Sequence, residues 1–258
     1  MSREKWLASF NIFGFLLTIV LNALANGLPI NGRTTGELSD LYPNLFVPAG
    51  YVFSIWGIIY LGLLLFTIWQ ARGLFSSGPL RSPAAASLGG WFLLSSVANA
   101  SWIVAWHYEQ LGLSLLLMAT ILFSLIQIYQ ITDGNARLSV IERIPFSIYL
   151  GWISIATIAN VTTLLVDAEW GTWGLGEITW TMIMTSTGAI LALIFLWFRS
   201  DLLYAGVVIW ALVGIINRYK MLDMGDLSPL PSLLWGLVVL ISVFALFRLP
   251  TWWKSWQT

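Results

Sequence analysis

The chain has 258 residues, of which 58% are apolar and 9% charged, with zero formal net charge and a mean hydropathy of +0.82. Soluble globular chains carry about 25% charged residues, so this chain has too few charges to cover a surface facing water, and its solvent is lipid. Zero net charge removes the basic field that nucleic acid requires, and no cysteine with a single histidine excludes disulfides, bis-histidine haem and His-rich zinc sites.

Arg3 and Lys5 precede the first apolar run, 6–28. Together with Ala23-x-Ala25 this stretch has the outline of a secretory signal and its cleavage site. Asn11 and Asn22 are out of place in a signal core, so the run is read as a first membrane helix. The connection that follows, "INGRTTGELSDLYPNLF", is far longer than a minimal turn. Loops of that length are binding lids or solvated connectors.

The second run, 48–69, begins inside "FVPAGYVFSIWGIIYLGL". Phe53, Trp56 and Tyr60 recur there on one helix face. Tyr60 lies roughly 18 Å along a helix from Pro48, near the middle of a ~30 Å hydrocarbon layer. Membrane aromatics usually gather at the two interfaces instead. The stripe is therefore expected to face inward. Further charge-free runs follow at 87–106, 111–131, 144–165, 179–198, 202–217 and 230–247. That makes eight spans, although Asn217 and Arg218 end the seventh so early that a count of seven stays open. The runs are continuous rather than alternating, which points to helices and not to a barrel.

Lys and Arg set the orientation. A cytoplasmic N-terminus puts Arg3, Lys5, Arg72, Arg81, Arg137, Arg143, Arg199, Arg248 and Lys254 inside, and Arg33, Arg218 and Lys220 outside. Both termini are then cytoplasmic, and the membrane is the plasma (inner) membrane. The outer 166–178 connection carries Asp167, Glu169 and Glu177 without a basic residue.

As drawn, no span contains Asp, Glu, Lys, Arg or His. Ion-coupled pumps place such groups at depth, and acid–base enzymes need a catalytic proton carrier. Their absence counts against both. The polar groups at depth are Asn22, Asn26, Asn99, Trp102, Tyr149, Trp152, Thr157 and Asn160. These hydrogen-bond and stack without holding charge, which suits a flat, largely apolar ligand. No Walker pattern or HExxH occurs. No catalytic residue, metal ligand or cofactor is assigned.

Three segments resemble the translocator protein family, also called the tryptophan-rich sensory proteins (TspO/MBR). "FVPAGYVFSIWGIIYLGL" resembles its Pro-Pro-x-Trp-Val-Phe…Trp…Leu-Tyr signature, and "VANASWIVAWHYEQLGLSLLL" its third-helix Asn-x-x-Trp stretch. "YLGWISIATIANVT" is similar to the fifth-helix pattern, with Tyr149, Leu150, Trp152, Ala156, Thr157 and Asn160 in register. There are departures: Ala49 stands where a second proline is expected, Tyr51 where tryptophan is expected, and Ile148 where proline is expected. The family's sterol motif, a tyrosine followed closely by Lys or Arg, is missing from "TTLLVDAEW".

The resemblance implies an all-α, polytopic membrane helix bundle. A TspO-like five-helix ligand-binding bundle would occupy 1–166, and 167–258 would add about three transmembrane helices of no assigned role. It also implies a pocket under the first loop, lined by helices 1, 2, 3 and 5. Carried over, the lining is Tyr51, Phe53 and Trp56, with Tyr60 continuing the stripe, then Asn99 and Trp102, then Trp152, Ala156 and Asn160. Spacing agrees: Asn99 and Trp102 are i, i+3, and the last three spread over about 80° of a helix face. The competing reading has these aromatics packing helix on helix, with Asn99 and Asn160 as interhelical hydrogen-bond partners.

The expected function is a membrane receptor or carrier for a hydrophobic polycyclic ligand, by resemblance a tetrapyrrole such as protoporphyrin or haem. The first loop would be a two-state element biased by ligand. One alternative is a membrane enzyme that oxidises or degrades that ligand. Another is an assembly protein without a ligand, showing an exposed apolar face on 179–247. Expected partners are the lipid bilayer, the polycyclic molecule and a second copy in a homodimer, with no nucleic acid.

Overall fold

In lipid every backbone N–H and C=O needs a partner within the chain, and a continuous apolar run meets that need as a helix. The computed structural model describes residues 2–28, 30–75, 77–133, 135 and 137–254, and among them there is no strand. Ten α-helices follow in order: α1 Arg3–Gly27, α2 Thr35–Asp40, α3 Ile55–Gln70, α4 Ala84–Leu88, α5 Trp91–His107, α6 Leu111–Asp133, α7 Val140–Asp167, α8 Glu177–Arg199, α9 Leu202–Met221 and α10 Leu230–Lys254. The protein is a polytopic helical membrane protein.

Each of the eight expected runs falls on a helix. Among the described residues, seven helices are long and apolar enough to cross a membrane: α1, Gly50–Gln70 (a 3-10 turn running into α3), α6, α7, α8, α9 and α10. The short one is α5, not the seventh span. Its 17 residues reach about 26 Å at 1.5 Å per residue, the low end of what a ~30 Å core requires. Conversely α9, expected to end at 217, continues through Arg218 and Lys220 to Met221.

Two helices also extend past the expected charge-free runs and bury ionisable groups. His107 closes α5 with no exposed surface, and Glu142 in the first turn of α7 is 1% exposed. Ser139 and Glu142 form half of a capping box. The Ser139 backbone N–H and hydroxyl both donate to the Glu142 carboxylate at 2.7 Å, and the Ser82 hydroxyl donates to its other oxygen. Three donors thus hold one buried carboxylate.

The chain forms two compact units, residues 1–35 with 55–153, and 36–54 with 154–258. In the first, Phe66, Phe92 and Phe146 pack ring on ring at 4.9–5.9 Å. Gln70 joins α3 to α1, accepting from Asn11 Nδ2 at 3.0 Å and donating to the Ala8 carbonyl at 3.2 Å. In the second, Tyr204 of α9 stacks on Phe195 of α8 with centroids 3.9 Å apart. Arg248 of α10 donates to the Leu196 and Trp197 carbonyls at 3.0 and 2.7 Å, adding to the capping of the last turn of α8, where the Ser200 N–H also donates to Leu196.

Candidate functional site

Within the first unit a polar chain runs between helices at depth. Asn22 of α1 donates to Asn99 Oδ1 of α5 at 2.8 Å, and Asn99 Nδ2 donates to the Tyr149 hydroxyl of α7 at 3.0 Å. The Tyr149 ring meets Trp56 of α3 edge-on at 5.8 Å. Trp56 lies nearly parallel to Tyr60 at 5.4 Å and edge-on to Trp152 at 6.1 Å. Two amides and four rings therefore join α1, α3, α5 and α7. Asn99, Tyr149 and Trp152 are buried, whereas Trp56 and Tyr60 are half-buried.

The buried polar atoms of this unit without a hydrogen-bond partner among the described residues include the Tyr60 hydroxyl and Trp102 Nε1, and also Asn11 Oδ1, Thr35 Oγ1, Thr67 Oγ1 and His107 Nε2. Trp102 stacks on Trp106 at 5.9 Å, and Trp106 Nε1 donates to the Thr35 carbonyl at 3.3 Å. Nearby, Asn31 Nδ2 donates to the His107 carbonyl at 3.0 Å and Arg33 pairs with Glu109 at 3.4 Å. The start of the connection after α1 is thus held at the end of α5.

Residues 36–54 of that connection belong to the second unit and lie on α9. The Arg218 guanidinium pairs with Asp40 at 2.7 Å. The Tyr219 hydroxyl donates to the Leu45 carbonyl at 2.5 Å, the Ala49 N–H donates to the Gly214 carbonyl at 3.0 Å, and Trp210 Nε1 donates to the Val52 carbonyl at 3.1 Å. Asn217 Nδ2 donates to the Tyr51 hydroxyl at 2.7 Å, and the Tyr51 ring meets Trp210 edge-on at 5.3 Å. Gly214 is the contact point. A Cβ built there would stand 2.1 Å from Val52 Cγ2 and 3.4 Å from Pro48 Cβ.

This helical membrane architecture matches a family model described as TSPO-like protein over residues 6–249. The chain belongs to the TSPO-like family. The match runs on through α8, α9 and most of α10. No curated protein and no solved structure matches the chain.

Of the nine lining positions expected of a TSPO-like site, Trp56, Tyr60, Asn99, Trp102 and Trp152 lie in the first unit and Tyr51, Phe53, Ala156 and Asn160 in the second. Trp56, Tyr60 and Trp152 meet as one aromatic cluster, and Asn99 reaches it through Tyr149. Asn99 is also the interhelical hydrogen-bond partner that the competing reading described. Tyr51 is engaged by α9. Trp210, Gly214, Asn217 and Tyr219 were not among the expected residues, although Trp210, Gly214 and Asn217 recur at i, i+4 and i+7, one face of a helix.

Two open apolar grooves lie elsewhere. One of about 650 Å³ runs along α1, α5 and α6 past Leu17, Val97 and Leu113, and one of about 410 Å³ runs between α8 and α10 past Ile194 and Phe244. An apolar face is exposed on 179–247, including Ile190, Trp197 and Val243.

Proposed function

We propose that this TSPO-like protein is an integral membrane receptor or carrier that binds a flat, hydrophobic polycyclic ligand of tetrapyrrole type. The site we assign is built from Trp56, Tyr60, Asn99, Trp102 and Trp152. The observation that carries the reading is the aromatic cluster of Trp56, Tyr60 and Trp152 at expected lining positions, with an unpartnered polar atom on Tyr60 within it and another on Trp102 of α5. Trp56 and Tyr60 are half-buried, so their rings retain surface for stacking. An unmade hydrogen bond at a buried polar atom costs about 1–3 kcal/mol. A polycycle carrying peripheral acceptor groups would satisfy the Trp102 N–H and the Tyr60 O–H while stacking on the indoles. The chain offers no buried cation in this set, so recognition rests on shape, stacking and neutral hydrogen bonds. With α5 counted as an eighth crossing, the excess of Lys and Arg in one set of connections supports both termini on the cytoplasmic side.

The test is a titration of the detergent-solubilised protein with protoporphyrin IX, read by quenching of tryptophan fluorescence. Tyr60→Phe and Trp102→Phe keep a ring and remove the orphaned group. Saturable quenching that weakens in both variants supports the site. Quenching that does not saturate, or that is identical in all three proteins, overturns it.

A further inference from the structure

The stretch from Leu45 to Ala49 is neither helix nor strand, yet Leu45, Phe46, Val47 and Ala49 are all at most 5% exposed. Pro43 and Pro48 keep it from becoming helical, since each removes an N–H and biases the residue before it towards extended backbone. Its contacts on α9 run from Tyr219 back to Trp210, about 14 Å along the helix axis. Irregular backbone survives at membrane depth only where protein supplies the partners. Here α9 supplies them. Leu45 C=O, Ala49 N–H and Val52 C=O are taken up in turn by Tyr219, Gly214 and Trp210. The Val52 N–H turns back to the Ala49 carbonyl at 2.9 Å.

We infer that α9 is the positioning element for this strap, residues 45–52, and that holding the strap is the work of the C-terminal helices. The strap is a fixed part of the fold and not a lid that opens with ligand. The reasons are steric and polar together. Gly214 lets the strap backbone approach as closely as a side chain allows, and each backbone group engaged by α9 would otherwise be buried without a partner. Gly50–Ser54 then runs without interruption into α3. By docking the strap, α9 therefore holds the 3-10 turn Gly50–Ser54, which belongs to the same unit. Trp210, Gly214, Asn217 and Tyr219 are positioning residues in this sense.

The experiment reads the position of the strap and not ligand binding, so its outcome is separate from that of the ligand-binding proposal. The chain has no cysteine, and a Cβ at Gly50 or at Gly206 of α9 meets no atom within 4 Å. Spin labels on the Gly50→Cys, Gly206→Cys protein should report one narrow distance, unchanged when protoporphyrin IX is added. Adding Trp210→Phe with Tyr219→Phe, which keeps the rings and removes both donors, should broaden that distribution. It should also speed deuterium exchange at the Ala49 and Val52 amides by about tenfold or more. Gly214→Leu should displace the strap outright, and the milder double variant serves where that protein does not fold. A distribution that stays narrow in the double variant, or one that is already broad or shifts with porphyrin in the parent, overturns the assignment.

Discussion

Asn99 bonds to Tyr149 across 3.0 Å while its amide oxygen takes the Asn22 N–H, so one side chain satisfies two neighbouring helices. Replacing it by leucine leaves a donor on α1 and a hydroxyl on α7 buried and unmade. Asn99→Leu is expected to lower unfolding stability by about 1–3 kcal/mol, and Tyr149→Phe by less, since only one bond is lost. Thermal unfolding in a fixed detergent, compared between the two variants, checks the order.

The orphaned groups give a prediction with opposite signs. In protein without ligand, Tyr60→Phe removes a polar atom that makes no hydrogen bond, so stability should hold or rise by up to about 1 kcal/mol. Porphyrin binding should weaken in the same variant. Measuring melting temperature with and without protoporphyrin IX separates the two effects. A loss of stability without ligand would show that the hydroxyl already has a structural partner.

At Gly214 the size of the side chain decides. Gly214→Ala drives a methyl into Val52 Cγ2, and overpacking of this kind costs about 1–3 kcal/mol. The second change Val52→Ala removes that methyl group and should recover most of the loss. A double-mutant cycle on unfolding stability measures the coupling, and additivity would mean that the two residues do not touch.

Glu142 is held by three donors that an amide cannot all satisfy, because a glutamine turns one acceptor into a donor group. Glu142→Ala is expected to cost about 0.5–2 kcal/mol, the range for loss of a helix cap, with Glu142→Gln in between. Deuterium exchange over residues 139–145 should rise in the same order.

The elements legible in the sequence are those that lipid dictates locally. Each charge-free run became a helix because no other local structure satisfies its backbone, and Trp56, Tyr60 and Trp152 met because helical spacing puts large rings on definite faces. Helix ends were less legible. The apolar runs stop before His107 and Lys220 and begin only after Glu142, yet hydrogen bonding carries the helices through all three. The Ser139-x-x-Glu142 spacing was a usable signal for the start of α7. The pairing of Asn22 with Asn99, and of the strap with α9, was not legible at all. These contacts join residues far apart in the chain, and nothing in the local pattern of Gly214 or Asn217 names a partner.

The strap's bonds to α9 span 158, 166 and 174 residues of chain. At about 5–20 residues per second of synthesis, the strap leaves the ribosome roughly 8–35 s before the helix that receives it. For that interval its buried carbonyls and amides have no final partner, and the connection after α1 must wait in water or in the insertion machinery. Membrane insertion of this protein is therefore completed from its C-terminal half backwards, with α9 arriving late to seat a segment made early.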